Sequence, residues 1–125
     1  MRLERKKVLI VDDSAINRRI LADMLSPEYQ IIEAKGGEDA LLRIRSFGDE
    51  LALVLLDIFM PDVDGFAVLR EMNKQGWINQ IPVITISSDG SDENIGKAYE
   101  LGVTDFISKP FDTLVVKQRV ANTIA

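Results

Sequence analysis

The chain contains neither cysteine nor histidine in its 125 residues. Those two absences exclude zinc sites, thiol redox work and nucleophilic triads built on Ser-His or Cys-His. Any metal must therefore be held by oxygen. No stretch approaches the ~20 apolar residues that cross a bilayer. The basic start, Met1 to Lys7, is followed by only a short apolar run before Asp12, so neither a membrane span nor a signal peptide is expected, and a cytoplasmic location follows by default. No repeat or linker is present, and the length suits one domain over 1–125, with residues 1–6 as a solvated basic lead-in. Excess positive charge is also missing: 15 basic residues face 20 acidic ones, and beyond Lys7 the balance is 11 to 19, a net of −8. Such a body repels phosphate backbones, so no direct nucleic-acid binding is expected.

What the sequence does contain is organised around Leu51-Ala-Leu-Val-Leu-Leu-Asp57, six apolar residues closed by a carboxylate. A continuous apolar run this short, with Pro61 and Gly65 after it, suits a strand buried on both faces of a parallel sheet. Val8-Leu-Ile-Val11 is a second such run and ends in Asp12 and Asp13. Tyr29 to Ala34 reads as an alternating strand of edge character, Pro82 to Ser87 as a fourth strand and Asp105 to Ser108 as a fifth. Between them, apolar residues recur at helical spacing: Ile16, Ile20, Leu21, Met24 and Leu25 after the N-cap Ser14; Ala40, Leu41, Ile44 and Phe47 up to Gly48; and Val68, Leu69 and Met72. Ile95, Ala98 and Leu101 follow a cap at Ser91 or Asp92, and Val116, Val120 and Ile124 line the last helix. Gly96 makes the fourth helix the loosest expected, since glycine costs about 1 kcal/mol against alanine in a helix interior. Strands and helices alternating five times predict a doubly wound α/β fold: a five-stranded parallel sheet with helices on both faces.

In that fold Asp12 with Asp13, Asp57, Ser87 and Lys109 come from the ends of four different strands and meet at the sheet's carboxyl edge, where such folds form ligand crevices. Taken singly, each has a plainer reading. Asp12 and Asp13 are helix-start acids, Asp57 a strand end, Ser87 a backbone partner and Lys109 a surface charge. Together they describe a site. Three carboxylates within ~4 Å repel by roughly 4 kcal/mol per pair at an effective dielectric near 20, so the cluster favours a hard divalent cation. Mg²⁺, which takes few carboxylates plus waters and phosphate oxygens, suits a site with room for a phosphoryl group. Pro110 fixes the turn after Lys109 and, if cis, aims the ammonium back toward the rim.

The stretches Val11-Asp-Asp-Ser14, Leu56-Asp-Ile-Phe-Met-Pro-Asp-Val-Asp-Gly65, Ile86-Ser-Ser88 and Ser108-Lys-Pro-Phe111 make the chain resemble a receiver domain of the two-component response regulators, with a flavodoxin-like fold, from Val8 to Ile124. The resemblance implies that Asp57 is the phosphoacceptor and that Asp12, Asp13, Asp57 and the backbone carbonyl of Phe59 hold Mg²⁺. It further implies that Ser87 and Lys109 contact the phosphoryl oxygens, that Phe106 is a rotating aromatic switch, and that the fourth helix, fifth strand and fifth helix form the face it alters. The plain alternative for Phe106 is simple core. Ile16 likewise reads first as a core residue of the first helix, or as a contact for a histidine kinase. Ser88 departs from the small apolar residue often found after the switch hydroxyl, and Phe59 and Asp89 flank positions that tune dephosphorylation in the family. Phe106 has no hydroxyl, so no hydrogen bond from its side chain can hold either pose.

The implied partner is a sensor histidine kinase or phosphotransfer protein, because the chain has no histidine of its own to donate phosphate. Apart from phosphorylating itself and slowly losing the phosphate, the chain is not expected to be an enzyme. The last helix reaches Ala125 without a glycine cap or charged tail, which suits continuation into an output domain, and Leu114 and Val115, partly off the Val116 stripe, suit a homodimer or an intramolecular partner. Two competing readings are an aspartate-nucleophile phosphohydrolase and a receiver-like interaction domain that is never phosphorylated. The first expects an acid two residues after the nucleophile, where this chain has Phe59 and no acid before Asp62; the second expects the acidic set to be incomplete.

Overall fold

A computed structural model of the chain describes residues 5–88 and 90–124. The strands are β1 (Lys7–Val11), β2 (Gln30–Ala34), β3 (Leu51–Asp57), β4 (Val83–Ser87) and β5 (Asp105–Ser108). The helices are α1 (Ala15–Leu25), α2 (Gly37–Phe47), α3 (Gly65–Gln75), α4 (Asp92–Glu100) and α5 (Thr113–Ile124). Two short 3-10 turns, Gly48–Glu50 and Trp77–Asn79, fall in connections that sequence periodicity leaves unassigned. All strand pairs are parallel, in the order β2-β1-β3-β4-β5. The fold is the expected doubly wound sheet with β2 at an edge. Met1 to Glu4 of the lead-in, Asp89 and Ala125 lie outside the described residues.

Continuous apolar runs work here because both faces of the sheet are covered. Successive side chains alternate: Leu9, Val11, Val54 and Leu56 pack with α2 and α3, while Val8, Ile10, Leu53 and Leu55 pack with α1 and α5. Pro82 precedes β4 rather than opening it, and its carbonyl accepts from Val54 N at 3.0 Å. The helix caps follow their local chemistry. Ser14 accepts from Asn17 N, Asp64 from Ala67 N and Ser91 from Asn94 N, so Ser91 and not Asp92 caps α4.

The first helix corrects one expectation. Ile16 is 73% exposed and Ile20 also faces solvent, whereas Leu21 and Leu25 are buried. The apolar stripe of α1 is wider than the surface it covers, and the packed side is the one centred on Leu21 and Leu25. Ile16 is therefore not core. Leu114 and Val115 are exposed, while Val116 and Val120 are buried.

α4 buries only Ala98. Two contacts tie it to α3: the Lys97 ammonium lies 4.3 Å from the centre of the Phe66 ring, and Asn73 Nδ2 donates to Leu101 O at 2.8 Å. A Cβ added at Gly96 would meet nothing within 4 Å, so the position tolerates alanine sterically. Gly96→Ala is expected to stabilise the chain by about 0.5–1 kcal/mol, chiefly by restricting the unfolded state, and a higher urea midpoint at unchanged slope checks it.

Candidate functional site

The sheet order reverses direction between β1 and β3, and the chain leaves those two strands on opposite sides, opening a crevice at their carboxyl ends. Val11 pairs with Leu56, which sets Asp12 and Asp57 side by side one residue further on. Both carboxylates are almost wholly buried, Asp12 at 0% and Asp57 at 2% exposure, and Asp13 beside them is exposed. One oxygen from each of the three lies within 4.8 Å of one from each of the others. Arg18 of α1 anchors this corner by donating to Asp12 O at 2.7 Å while its Nε pairs with Glu33 at 3.0 Å. No sequence motif points to Arg18. Its role becomes visible only when α1 lies beside β2.

Lys109 comes from the far side of the crevice, after β5. Its Nζ is 3.3 Å from both Asp12 Oδ2 and Asp57 Oδ2. The Lys109–Pro110 peptide is cis. Asp57 Oδ1 accepts from Phe59 N at 3.3 Å, and Asp12 Oδ1 accepts from Ser14 N at 2.9 Å. Gly65 closes the loop that begins at Asp57. Its amide donates to Ile58 O at 2.8 Å, and a Cβ there would stand 2.5 Å from Asp57 O and 2.7 Å from Ile58 Cα. Only glycine lets the start of α3 approach the strand end this closely.

The electrostatics follow from crowding. Burial, then the like charge of Asp12, raise the Asp57 carboxyl from 3.8 to about 6, against the opposing pull of Lys109 and of the Phe59 amide. For Lys109, burial presses downward, but the facing charges of Asp57 and Asp12 outweigh it and raise its pKa above the ordinary lysine value. Asp12 Oδ2 is buried and receives no hydrogen bond: Lys109 is near enough to pair as an ion but not aligned to donate. A buried carboxylate oxygen without a donor, within reach of two more carboxylates, is the donor set a hard cation takes.

Ser87 ends β4, half-buried, and lines a narrow crevice with Ile58, Thr85, Asn94, Ile95, Phe106 and Ile107. Phe106 is half-buried on β5 and forms part of that wall, so the hydroxyl and the ring share one space. Thr85 is a buried polar residue there that sequence patterning does not distinguish from ordinary strand. Phe59 is 48% exposed beside the acids.

A family model described as the response regulator receiver domain matches residues 8–121. Among proteins of known sequence, the chain is 34% identical over 125 residues to ycf27 of Pyropia yezoensis, described as a probable transcriptional regulator, covering 99% of this chain and 49% of that one. The chain thus spans about half the length of the ycf27 regulators it matches. Among solved structures, a CheY-like response regulator receiver domain protein from Methanospirillum hungatei aligns with a TM-score of 0.80 at 29% identity, covering 94% of this chain and 93% of that one. The chemotaxis protein CheY4 of Vibrio cholerae aligns with a TM-score of 0.87 at 23% identity, over 95% and 98% of the two chains, a likeness of fold. Among the described residues, no helix is long and apolar enough to cross a membrane.

Proposed function

The chain belongs to the response regulator receiver domain family of two-component signalling, and from that premise we propose that it takes a phosphoryl group onto Asp57 from the phosphohistidine of a partner kinase or phosphotransfer protein. The observation that supports this reading is the geometry at Asp57. A nearly buried carboxylate is held between a lysine ammonium at 3.3 Å and two further carboxylates that can share a cation with it. In the transfer, a carboxylate oxygen of Asp57 attacks phosphorus as the bond from phosphorus to the imidazole nitrogen breaks, and that nitrogen leaves with the electron pair. No general base is needed, because the attacking group is already ionised at neutral pH. The chain contributes position and charge.

Asp12, Asp13 and Asp57, with the Phe59 carbonyl, would hold Mg²⁺. When bound, the ion supplies positive charge to the phosphoryl oxygens and relieves the repulsion among the acids. Lys109 pairs with a phosphoryl oxygen, and Ser87 donates its hydroxyl to another. Phosphorylation adds about −1.5 to −2 charge and three strong acceptors. Ser87 moves toward them, and Phe106 turns into the crevice it borders, shifting an existing equilibrium of α4, β5 and α5. The chain acts in the cytoplasm, turns over no external substrate, and works as part of a longer regulator or through a partner on that face.

Incubation with acetyl phosphate and Mg²⁺, read by intact mass, tests this reading. The expected result is one phosphate on the wild type and none on Asp57→Ala. Steady release of phosphate from external esters would instead support a phosphohydrolase, and an unmodified wild type would support an interaction domain that is never phosphorylated.

A further inference from the structure

Phe106 carries no polar atom on its ring, so whatever fixes its resting pose must come from a neighbour. One such neighbour is Arg119 of α5. Its guanidinium carbon lies 5.4 Å from the centre of the Phe106 ring, and its Nη1 donates to the Phe106 carbonyl. The same group lies 3.8 Å from Asp105 Oδ1, and Asp105 Oδ1 accepts from the Phe106 amide at 2.8 Å. One arginine thus touches the ring, the carbonyl and the preceding carboxylate of a single stretch of β5. Both Arg119 and Phe106 are half-buried, which leaves the ring–cation contact at the protein surface.

The other border of the ring is the crevice shared with Thr85, Ser87, Asn94 and Ile95. The ring therefore has two sets of neighbours, the Arg119 guanidinium and the residues of that crevice. We propose that Arg119 is a positioning residue that latches Phe106 in the pose it holds here, a contact the ring gives up when it turns toward Ser87, and thereby sets the resting balance of the switch. The proposal rests on the reading of Asp57 as phosphoacceptor, because it is phosphorylation that pulls the ring away. A cation over an aromatic face at an exposed site is a weak contact, shifting an equilibrium roughly two- to five-fold. A contact of that size biases the two poses without freezing either. When the ring turns inward, the guanidinium loses its aromatic partner and keeps the Asp105 carboxylate and the Phe106 carbonyl. Phosphorylation at Asp57 is then displayed on α5 as a guanidinium partly released toward solvent, ready for an acidic group of whatever docks there.

Methyl-resolved NMR of the full chain with Mg²⁺ and increasing beryllofluoride, a phosphoryl mimic, tests the latch. The reporter is Ile95, whose methyl resonances respond to ring current because it lines the same crevice as Phe106. In Arg119→Gln the resting Ile95 resonances are expected to move part of the way to their mimic-bound positions, and the apparent affinity for the mimic to tighten roughly two- to five-fold. Arg119→Lys keeps the cation and is expected to stay close to wild type. A Gln variant indistinguishable from wild type, or a Lys variant indistinguishable from Gln, overturns the latch. A wild type in which no resonance responds to the mimic overturns the phosphoacceptor reading and the latch together, whereas a wild type that responds elsewhere but not at Ile95, or a responsive wild type beside an inert Gln variant, overturns the latch alone.

Discussion

Lys109→Ala is expected to slow phosphate transfer from acetyl phosphate to Asp57 by about a hundred-fold, the usual loss when one preorganised donor is taken from a charge-developing site. The ammonium stands 3.3 Å from the attacking carboxylate and 3.3 Å from Asp12, so it is in place before any phosphate arrives. Its removal should also separate two effects that a general loss of fold would move together. A positive charge beside the acids works against cation binding, so the alanine variant should bind Mg²⁺ more tightly than wild type while transferring phosphate more slowly. Without Mg²⁺ it should unfold more readily, because Asp12 and Asp57 then face each other with no cation between them, and added Mg²⁺ should restore it. Time-resolved intact mass gives the rate, and calorimetric Mg²⁺ titration gives the affinity. An unchanged transfer rate would remove Lys109 from the reaction.

Asp57→Asn should stabilise the Mg²⁺-free chain. Burial and Asp12 raise the Asp57 carboxyl from 3.8 to about 6, so the folded state holds this proton more tightly than the unfolded state does. Stability contributed by a group of that kind is present at low pH and declines as pH rises from about 4 to about 6, levelling off above. The interval from 3.8 to about 6 corresponds to about 3 kcal/mol as an upper bound. Asparagine cannot ionise, yet its Oδ1 can still accept from Phe59 N. Lys109 loses one partner and keeps Asp12, which trims the gain. Urea unfolding at a series of pH values should show variant and wild type alike near pH 4 and the variant more stable by about 1–3 kcal/mol at pH 7. Mg²⁺ should close the gap by stabilising the wild type alone, and wild-type Mg²⁺ affinity should fall below about pH 6, where the proton competes. A variant less stable than wild type at pH 7 would mean that Asp57 is not electrostatically strained.

The sheet was legible because its strands are buried on both faces. Runs such as Val8 to Val11 and Leu51 to Leu56 carry no polar alternation, and that fits few structures other than a covered parallel sheet. The acids were legible because each closes such a run, and strand ends in this architecture point to one rim. The phase of α1 was not: Ile16 and Leu25 are equally apolar, and only the docked helix decides that the first faces water and the second the core. Sequence pattern does not single out Arg18 or Arg119, for a related reason. In sequence each is one charge on a helix, and their carbonyl partners, Asp12 and Phe106, belong to other elements brought near by the fold. Gly65 read as a turn marker. The structure adds a stricter reason, the approach of its Cα to the backbone of Asp57 and Ile58.

The most direct measurement is a crystal structure of the chain grown with Mg²⁺ and beryllofluoride. The account predicts beryllium bonded to a carboxylate oxygen of Asp57, one metal ion shared by Asp12, Asp13 and Asp57, and fluorines within hydrogen-bonding distance of Ser87 and Lys109. A mimic bound at another residue, or a metal ion that touches Asp57 without Asp12 and Asp13, would contradict it.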